Sequence, residues 1–450
     1  MDKNSAPLMV QIPIEPGNPS VKRYTSACFH CGNCKWTCLD HTGIFERCDA
    51  AGGHNLCIYC GQCINQCPGF AMSECEEYAD VKAAIKAGKT VIASVSPSLR
   101  VSLAESFGLD AELTEGKLVS LLKKLGFTYV LDTNFGADLT ICEEATELVN
   151  RIENGGVLPQ FTSCCPAWVR FAELFYPEYL DNISSAKSPI CMQGAIIKTW
   201  FAKKRGLDVK NIMNVAVAPC TAKKYEIRRD GMDAAGKYLG ENMRDMDNVI
   251  TTRELAAWAK ESGITYDELG DEPFDSLAGT GAAAIFGATG GVMEAALRTA
   301  YFLLNGENPP EDFMKLEAVR GFEDVREAEI DLKKAKINVA VIFGTKNAGD
   351  FIDKMKTGGK QYHFIEVMTC PGGCVGGGGQ PKGFVVSGLK VPEARIDLLH
   401  KKDEKSEIRL SHENPEVKAL YEEMLGTPCS EFAEKLLHTS YTDRSTEVVK

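Results

Sequence analysis

Eight cysteines near the start of the chain fall into two copies of one spacing, Cys28-x2-Cys31-x2-Cys34-x3-Cys38 and Cys57-x2-Cys60-x2-Cys63-x3-Cys67, the second followed by Pro68. Thiolates at that spacing are ligands for 4Fe-4S clusters, and in a paired arrangement the fourth cysteine of each run crosses to the other cluster. One set is then Cys28, Cys31, Cys34 and Cys67, and the other is Cys57, Cys60, Cys63 and Cys38. Zinc asks instead for paired Cys-x2-Cys units. The chemistry implied is electron transfer.

Further cysteines stand in three separate settings: Thr162-Ser163-Cys164-Cys165-Pro166, Ala218-Pro219-Cys220, and Cys370-x3-Cys374. Soft thiolates of this number suit iron-sulfur ligation. Gly372, Gly373 and Gly376 to Gly379 surround the last pair, and backbone without side chains can approach a bulky inorganic group and offer N–H donors. Glu144, Glu147 and Arg151 follow an i, i+3, i+7 spacing, which places them on one helix face. By itself such a ladder is either a surface salt-bridge stripe or a proton route, and Lys223, in a Lys-Lys pair, reads as a solvated residue.

These groups need a scaffold. Residues 1–20 are Pro-rich and read as an extended lead-in, and residues 21–80 as an α+β unit like a bacterial two-cluster ferredoxin. Beyond them, short apolar runs (Thr90 to Val95, Tyr129 to Asp132, Asn214 to Ala218, Asn338 to Phe343, His363 to Met368) read as buried parallel strands. Helical patterns alternate with them at Lys117 to Leu125, Ala137 to Glu153 and Gly290 to Tyr301, which implies an α/β domain over residues 88–385 with parallel sheets. Cys164 and Cys165, Cys220 and Cys370 stand at or just past strand ends, where α/β sheets collect ligands. Residues 386–450 read as charged amphipathic helices, a C-terminal brace. The Gly287-x2-Gly290-Gly291 segment lacks the dinucleotide fingerprint's spacing and is expected to let a helix start press against the site.

Phe161 to Trp168, Pro219 to Glu226 and Glu366 to Pro381 resemble, in order, the three signature segments of the [FeFe]-hydrogenases, and with Ser96 to Ser98, Ser184 to Pro189 and Phe286 to Arg298 the resemblance covers roughly residues 20 to 385. It implies two parallel-sheet lobes and an H-cluster, a 4Fe-4S cluster joined to a two-iron subsite that carries CO, CN and azadithiolate. The implied ligands are Cys165, Cys220, Cys370 and Cys374, with Cys374 bridging to the two-iron unit. Lys223, Pro97, Ser98 and Met368 are implied to contact that unit. Cys164 is implied to pass protons, through water, to Glu144, Ser184 and Glu147, with Arg151 and Glu226 beside the route. The reaction implied is 2H+ + 2e− = H2, with a ferredoxin or similar soluble carrier as electron partner and dedicated maturation proteins to insert the two-iron unit. Ala218 and Ile190 depart from the family's usual methionine before Pro-Cys and glutamine after Ser-Pro. Two rival readings are an H2-sensing relative and a hydrogenase-like iron-sulfur assembly factor without the two-iron unit.

A net charge of −12 over 450 residues argues against a nucleic-acid surface, although Lys22, Arg23, His30 and Lys35 form a local basic group beside the first motif. No run approaches membrane-spanning length. Met1 to Ser20 shows no export pattern, so the cytoplasm is the expected compartment. Cys48 and Cys75 are expected to be free thiols, Cys142, Cys191 and Cys429 structural, and His41 and His54 not metal ligands.

Overall fold

A computed structural model describes residues 12, 14–50, 56–382 and 392–448. Most of the lead-in, the Cys48 side chain, His54 and residues 386–391 of the expected brace lie outside the described residues.

The N-terminal unit pairs β1 (Val21–Arg23) antiparallel with β2 (Met72–Glu74), Val21 opposite Glu74. Its two cysteine motifs share one backbone path. In each, a helix (Asn33–Asp40 and Gln62–Asn65) starts from a left-handed glycine, Gly32 at φ +81° and Gly61 at φ +70°. The preceding residues His30 and Tyr59, at φ +59° and +65°, occupy matching positions.

Eight further strands follow: β3 (Thr90–Val95), β4 (Tyr129–Asp132), β5 (Gln160–Phe161), β6 (Ile212–Ala218), β7 (Asn248–Thr251), β8 (Val325–Asp331), β9 (Lys336–Phe343) and β10 (Phe364–Met368). One sheet runs in the order β4-β3-β6-β7 and is parallel throughout. The other runs β5-β10-β9-β8. Every residue of β6 and β10 is buried, as parallel strands covered on both faces require. One correction applies to the second sheet: β8 returns antiparallel along β9. Its edge position leaves it largely exposed, so it carries no apolar run to betray it. β7 was also unforeseen, because its run has only two apolar residues between Asn248 and Thr251, and β5, implied only by the strand end before Cys164, has two residues and no run of its own.

The 22-residue helix Thr133–Asn154 crosses the centre, its start capped by the Asp132 side chain. The helix Gly291–Asn305 begins at Gly290, φ +85°, and Thr289 N donates to Gly372 O at 2.9 Å. The glycine segment thus sets a helix start against the cysteine loop, as expected. C-terminal helices at Glu393–Lys405, Pro415–Leu420 and Glu431–Leu437 clamp the outside. Their anchor is buried: Asp403 accepts from Arg298 at 2.8 Å, with both side chains fully enclosed.

The N-terminal unit docks on the same loop. Gln62 Nε2 donates to Gly376 O at 2.8 Å, Asn65 Nδ2 to Gly377 O at 3.0 Å, and Thr221 Oγ1 to Tyr59 O at 2.7 Å. Arg253 is the tie between all parts. Its guanidinium pairs with Glu74 at 3.0 Å, donates to Asn65 Oδ1 at 2.7 Å and Gln380 O at 2.6 Å, and also reaches Gly378 O. Truncating one partner of a fully buried ion pair costs about 3–5 kcal/mol because the other charge is stranded, and the partly exposed Arg253 side chain lessens that cost here. Arg253→Ala is therefore expected to destabilise the chain by less than that and to expose residues 21–80 to limited proteolysis. Denaturant titration with proteolysis checks this, and a parent-like pattern would show that Arg253 is not the tie.

Candidate metal centre and proton route

Both sheets aim the carboxyl ends of their parallel strands at one place. Cys220 follows β6 by two residues, Cys370 follows β10 by two, and Cys164 and Cys165 follow β5 by three and four. Pro97 and Ser98 lie just past β3, both buried. Pro166 opens the helix Pro166–Phe175 at a position where its missing N–H costs nothing, which leaves Cys165 at the helix start. Thr369 N and Oγ1 lie 3.4 and 3.3 Å from Cys165 Sγ.

Burial pushes the Cys220 thiol up to about 12. Cys370 and Cys374 are pushed up by burial and then by the neighbouring thiols of Cys220 and Cys165. Four enclosed sulfurs that would repel one another as thiolates are matched by a cationic iron cluster, so the donor set fits the implied group. Ser98 Oγ is buried without a hydrogen-bond partner among the described residues, and Met368 is buried at the end of β10. The glycines also have a packing role. They let backbone press on backbone: a Cβ at Gly373 would stand 2.7 Å from Thr289 N, at Gly377 2.3 Å from Pro219 O, and at Gly378 2.1 Å from Cys60 O.

Lys223 is no solvated residue. Its ammonium is buried, donating to Cys164 O at 3.0 Å and pairing with Glu226 at 2.8 Å. Burial opposes its charge, and Glu226 more than offsets that. Glu226 also accepts from Ser188 Oγ at 3.0 Å. The departures Ala218 and Ile190 share one buried apolar cluster with Cys191.

The eight N-terminal cysteines line two cavities. One cavity is lined by Cys28, Cys31, Cys34 and Cys67, with Cys31 exposed. Another is lined by Cys38, Cys57, Cys60 and Cys63. Cys60 is near enough to Cys220 and Cys165 for their charges to raise its thiol further, after burial has done most of the work. The inner set therefore adjoins the four-cysteine site and the outer set faces solvent. Of the expected basic group, Lys22 is already paired with Glu76 at 2.7 Å.

Glu144, Glu147 and Arg151 share the central helix at different depths. Arg151 pairs with Glu147 at 2.7 Å, and Ser184 Oγ donates to Glu147 at 2.6 Å. Glu144 is fully buried, and neither carboxylate oxygen has a hydrogen bond of good geometry to a described residue. Burial, then the Glu147 charge, pushes its carboxyl well above the usual range. Cys164 is pushed up likewise by burial and then by Glu144. Burial thus disfavours the charged form of both. Among the described residues no side-chain hydrogen bond joins Glu144 to Cys164 or to Ser184.

Sequence reasoning missed Glu366, whose carboxylate accepts from Gly290 N at 2.6 Å and Met293 N at 2.8 Å. A charge inside an otherwise apolar strand was the available signal. It also missed His41, which meets Thr369 O at 2.5 Å, for which no local pattern exists.

The family described as "Iron only hydrogenase large subunit, C-terminal domain" matches residues 89–378, and "Iron hydrogenase small subunit" matches residues 389–444. Iron hydrogenase 1 of Clostridium pasteurianum is 46% identical over 381 residues, 83% of this chain but 65% of that protein, less than two thirds of its length. The NADP-reducing hydrogenase subunit HndD of Solidesulfovibrio fructosivorans is 39% identical, covering 94% of this chain and 75% of that one. Cytosolic iron-sulfur assembly component 3 of Bos taurus is 31% identical, covering 86% and 82%. An apo [FeFe]-hydrogenase HydA1 structure from Chlamydomonas reinhardtii superposes with a TM-score of 0.71 at 38% identity, covering 82% of this chain and 99% of that one. With more than half of its length matched, the chain belongs to the iron-only hydrogenase family.

A carboxyl whose folded pKa is raised contributes stability below its unfolded pKa and loses it as pH rises through the folded value. Glu144→Gln removes that loss. Its Tm is expected to match the parent near pH 4 and to exceed it at pH 8, read by calorimetry. A Tm difference independent of pH would mean that Glu144 is not held protonated by burial.

Proposed function

We propose that the chain is an [FeFe]-hydrogenase interconverting 2H+ + 2e− and H2 at an H-cluster held by Cys165, Cys220, Cys370 and Cys374. The observation that carries this reading is the coincidence of three buried thiols and the partly buried Cys374 with a fully buried Glu144 whose carboxyl is raised by burial, close enough to Cys164 for its charge to act there. The H-cluster, when bound, supplies the site where protons and electrons combine or H2 is split. The protein supplies everything around it. Lys223, fixed by Glu226, offers a buried cation toward the site, and Ser98 offers an uncommitted hydroxyl. Cys164 holds a proton because burial disfavours its thiolate, Glu144 because burial disfavours its carboxylate, and Ser184 hands protons on to Glu147, which Arg151 orients. Cys28, Cys31, Cys34 and Cys67 would hold one 4Fe-4S cluster and Cys57, Cys60, Cys63 and Cys38 another, and such clusters would supply electron transfer between the exposed end and the four-cysteine site next to Cys60.

A soluble one-electron carrier such as a ferredoxin is the proposed partner at the exposed Cys31 edge, and maturation proteins insert the two-iron unit. No described helix is long and apolar enough to cross a membrane, and a cytoplasmic site of action is proposed. The assembly-factor reading, favoured by the 31% identical relative, has no use for an enclosed Cys164 and Glu144. An isolated buried carboxyl is costly to keep without a function.

Cys164→Ala is expected to retain parent iron content and parent CO and CN infrared bands while H2 turnover falls about 100-fold or more. Unchanged turnover would overturn the role of Cys164. Loss of the bands would make it, rather than Cys165, the ligand. A parent chain loaded with 4Fe-4S clusters but lacking those bands after maturation would overturn the hydrogenase reading itself.

A further inference from the structure

The C-terminal segment does more than brace. Lys187 N donates to Leu437 O at 2.8 Å and Thr439 N to Ser185 O at 2.8 Å, and Ala186 and His438 form an antiparallel bridge. The Tyr441 hydroxyl bonds the Ser184 carbonyl. The segment is thereby laid along the residues that meet Glu147. His438 Nδ1 comes to 2.8 Å from Ser185 Oγ, and Nε2 to 3.0 Å from Glu143 Oε2. Ser185 in turn touches Glu147: its N–H lies 3.2 and 3.3 Å from the two carboxylate oxygens and its Oγ 3.5 Å from Oε1. The imidazole keeps 9% of its side chain in solvent, whereas Glu143 is fully enclosed.

Glu143 also accepts from Tyr421 OH at 2.5 Å and from Cys429 N at 2.6 Å. Surrounded by donors, it fixes Nε2 as the N–H nitrogen and turns Nδ1 to Ser185. The proton route ending at Arg151 lacks a terminus, since a guanidinium gives up no proton near neutral pH. An imidazole is the side chain suited to that duty.

We propose that His438 exchanges protons between bulk water and Glu147 through the Ser185 hydroxyl, acting as a positioning and proton-handing residue of the relay. The proposal rests on the hydrogenase reading. With His438 neutral, Nδ1 accepts the Ser185 O–H. With His438 protonated, Nδ1–H donates to Ser185 Oγ and the serine proton turns to Glu147. One hop breaks the Nδ1–H and serine O–H bonds and forms a serine O–H and a Glu147 O–H. Imidazolium and carboxylate become imidazole and carboxylic acid, no electron is consumed, and Nδ1 is recharged by a water that takes the place of the Ser185 hydroxyl at the solvent-exposed edge of the side chain. The approach of Ser185 Oγ to Glu147 must tighten by about half an ångström for the transfer. The groups facing the imidazole are Glu143 from the central helix, Cys429 and Tyr421 from the C-terminal segment, Glu434 one turn earlier, and Glu147 across Ser185.

The test uses the matured holoenzyme with reduced viologen as electron donor. His438→Gln is expected to keep parent iron content and infrared bands, to lose about tenfold in H2 evolution above pH 7, and to converge on the parent at low pH, where hydronium is plentiful. Millimolar imidazole restores the lost rate. Ser185→Ala is expected to show the same alkaline loss without rescue, and it alone decides if His438→Gln loses its iron. Unchanged pH profiles overturn the proposal. So does about one zinc per parent chain that is absent from both Cys429→Ser and His438→Gln, because Glu143, Cys429 and His438 place three ligand atoms within 4.8 Å of one another and would then form a metal site. An infrared pH titration of the Glu147 carboxyl band, assigned with Glu147→Gln, is expected to shift its midpoint in His438→Gln. An unshifted midpoint overturns the coupling even if the parent proves not to turn over H2, an outcome that instead condemns the hydrogenase reading.

Discussion

Four thiols from three distant segments must leave water together, and the rest of the molecule serves that requirement. A buried thiolate is unfavourable alone and worse beside three others, so Cys165, Cys220, Cys370 and Cys374 form a donor set that a cationic group would fit. Bringing them together takes two sheets whose parallel strands end at a common place, because one sheet's carboxyl edge supplies Cys220 and the other's supplies Cys165 and Cys370. A parallel sheet buried on both faces in turn requires the helices that cover it, the central Thr133–Asn154 among them.

The glycine loop after Cys370 is the joint between the parts. The N-terminal unit, the loop after β6 and the start of the helix Gly291–Asn305 all lay backbone against it, at separations that a side chain would fill. Rigidity there has a functional meaning. Electron transfer needs the inner N-terminal cysteines held close to the buried four, and Gln62, Asn65 and Arg253 provide that hold through hydrogen bonds to loop carbonyls. The two proposed paths consequently approach the site from different directions, the electron path through residues 21–80 and the proton path along the central helix.

The depth gradient along that helix is what the proposed proton route needs from one ladder of acidic residues. Glu144 is fully enclosed, and burial raises the pKa of its carboxyl. Glu147, three residues on, is partly wet and paired with Arg151. A surface stripe would have kept both at one depth. The C-terminal segment closes the wet end, laying His438 and Tyr441 against Ser184 and Ser185.

Much of this was legible in the residues themselves. Cysteine spacing is a local property, so the grouping of the first eight that line two cavities could be proposed directly from the chain. The apolar runs that became β3, β4, β6, β9 and β10 were equally plain, since a strand buried on both faces must be apolar throughout. Short or edge strands such as β5, β7 and β8 carry no such signature, because burial rather than local propensity defines them. Only the tertiary structure decided that Lys223 is buried, that the glycines pack against backbone instead of standing open, and that Arg253 ties three parts together. It also decided that the C-terminal segment reaches the proton route, more than 250 residues away in sequence from Ser185. Periodicity and spacing report what neighbours along the chain require of one another, whereas hydrogen-bond partners and depth belong to contacts that exist only once distant segments have packed.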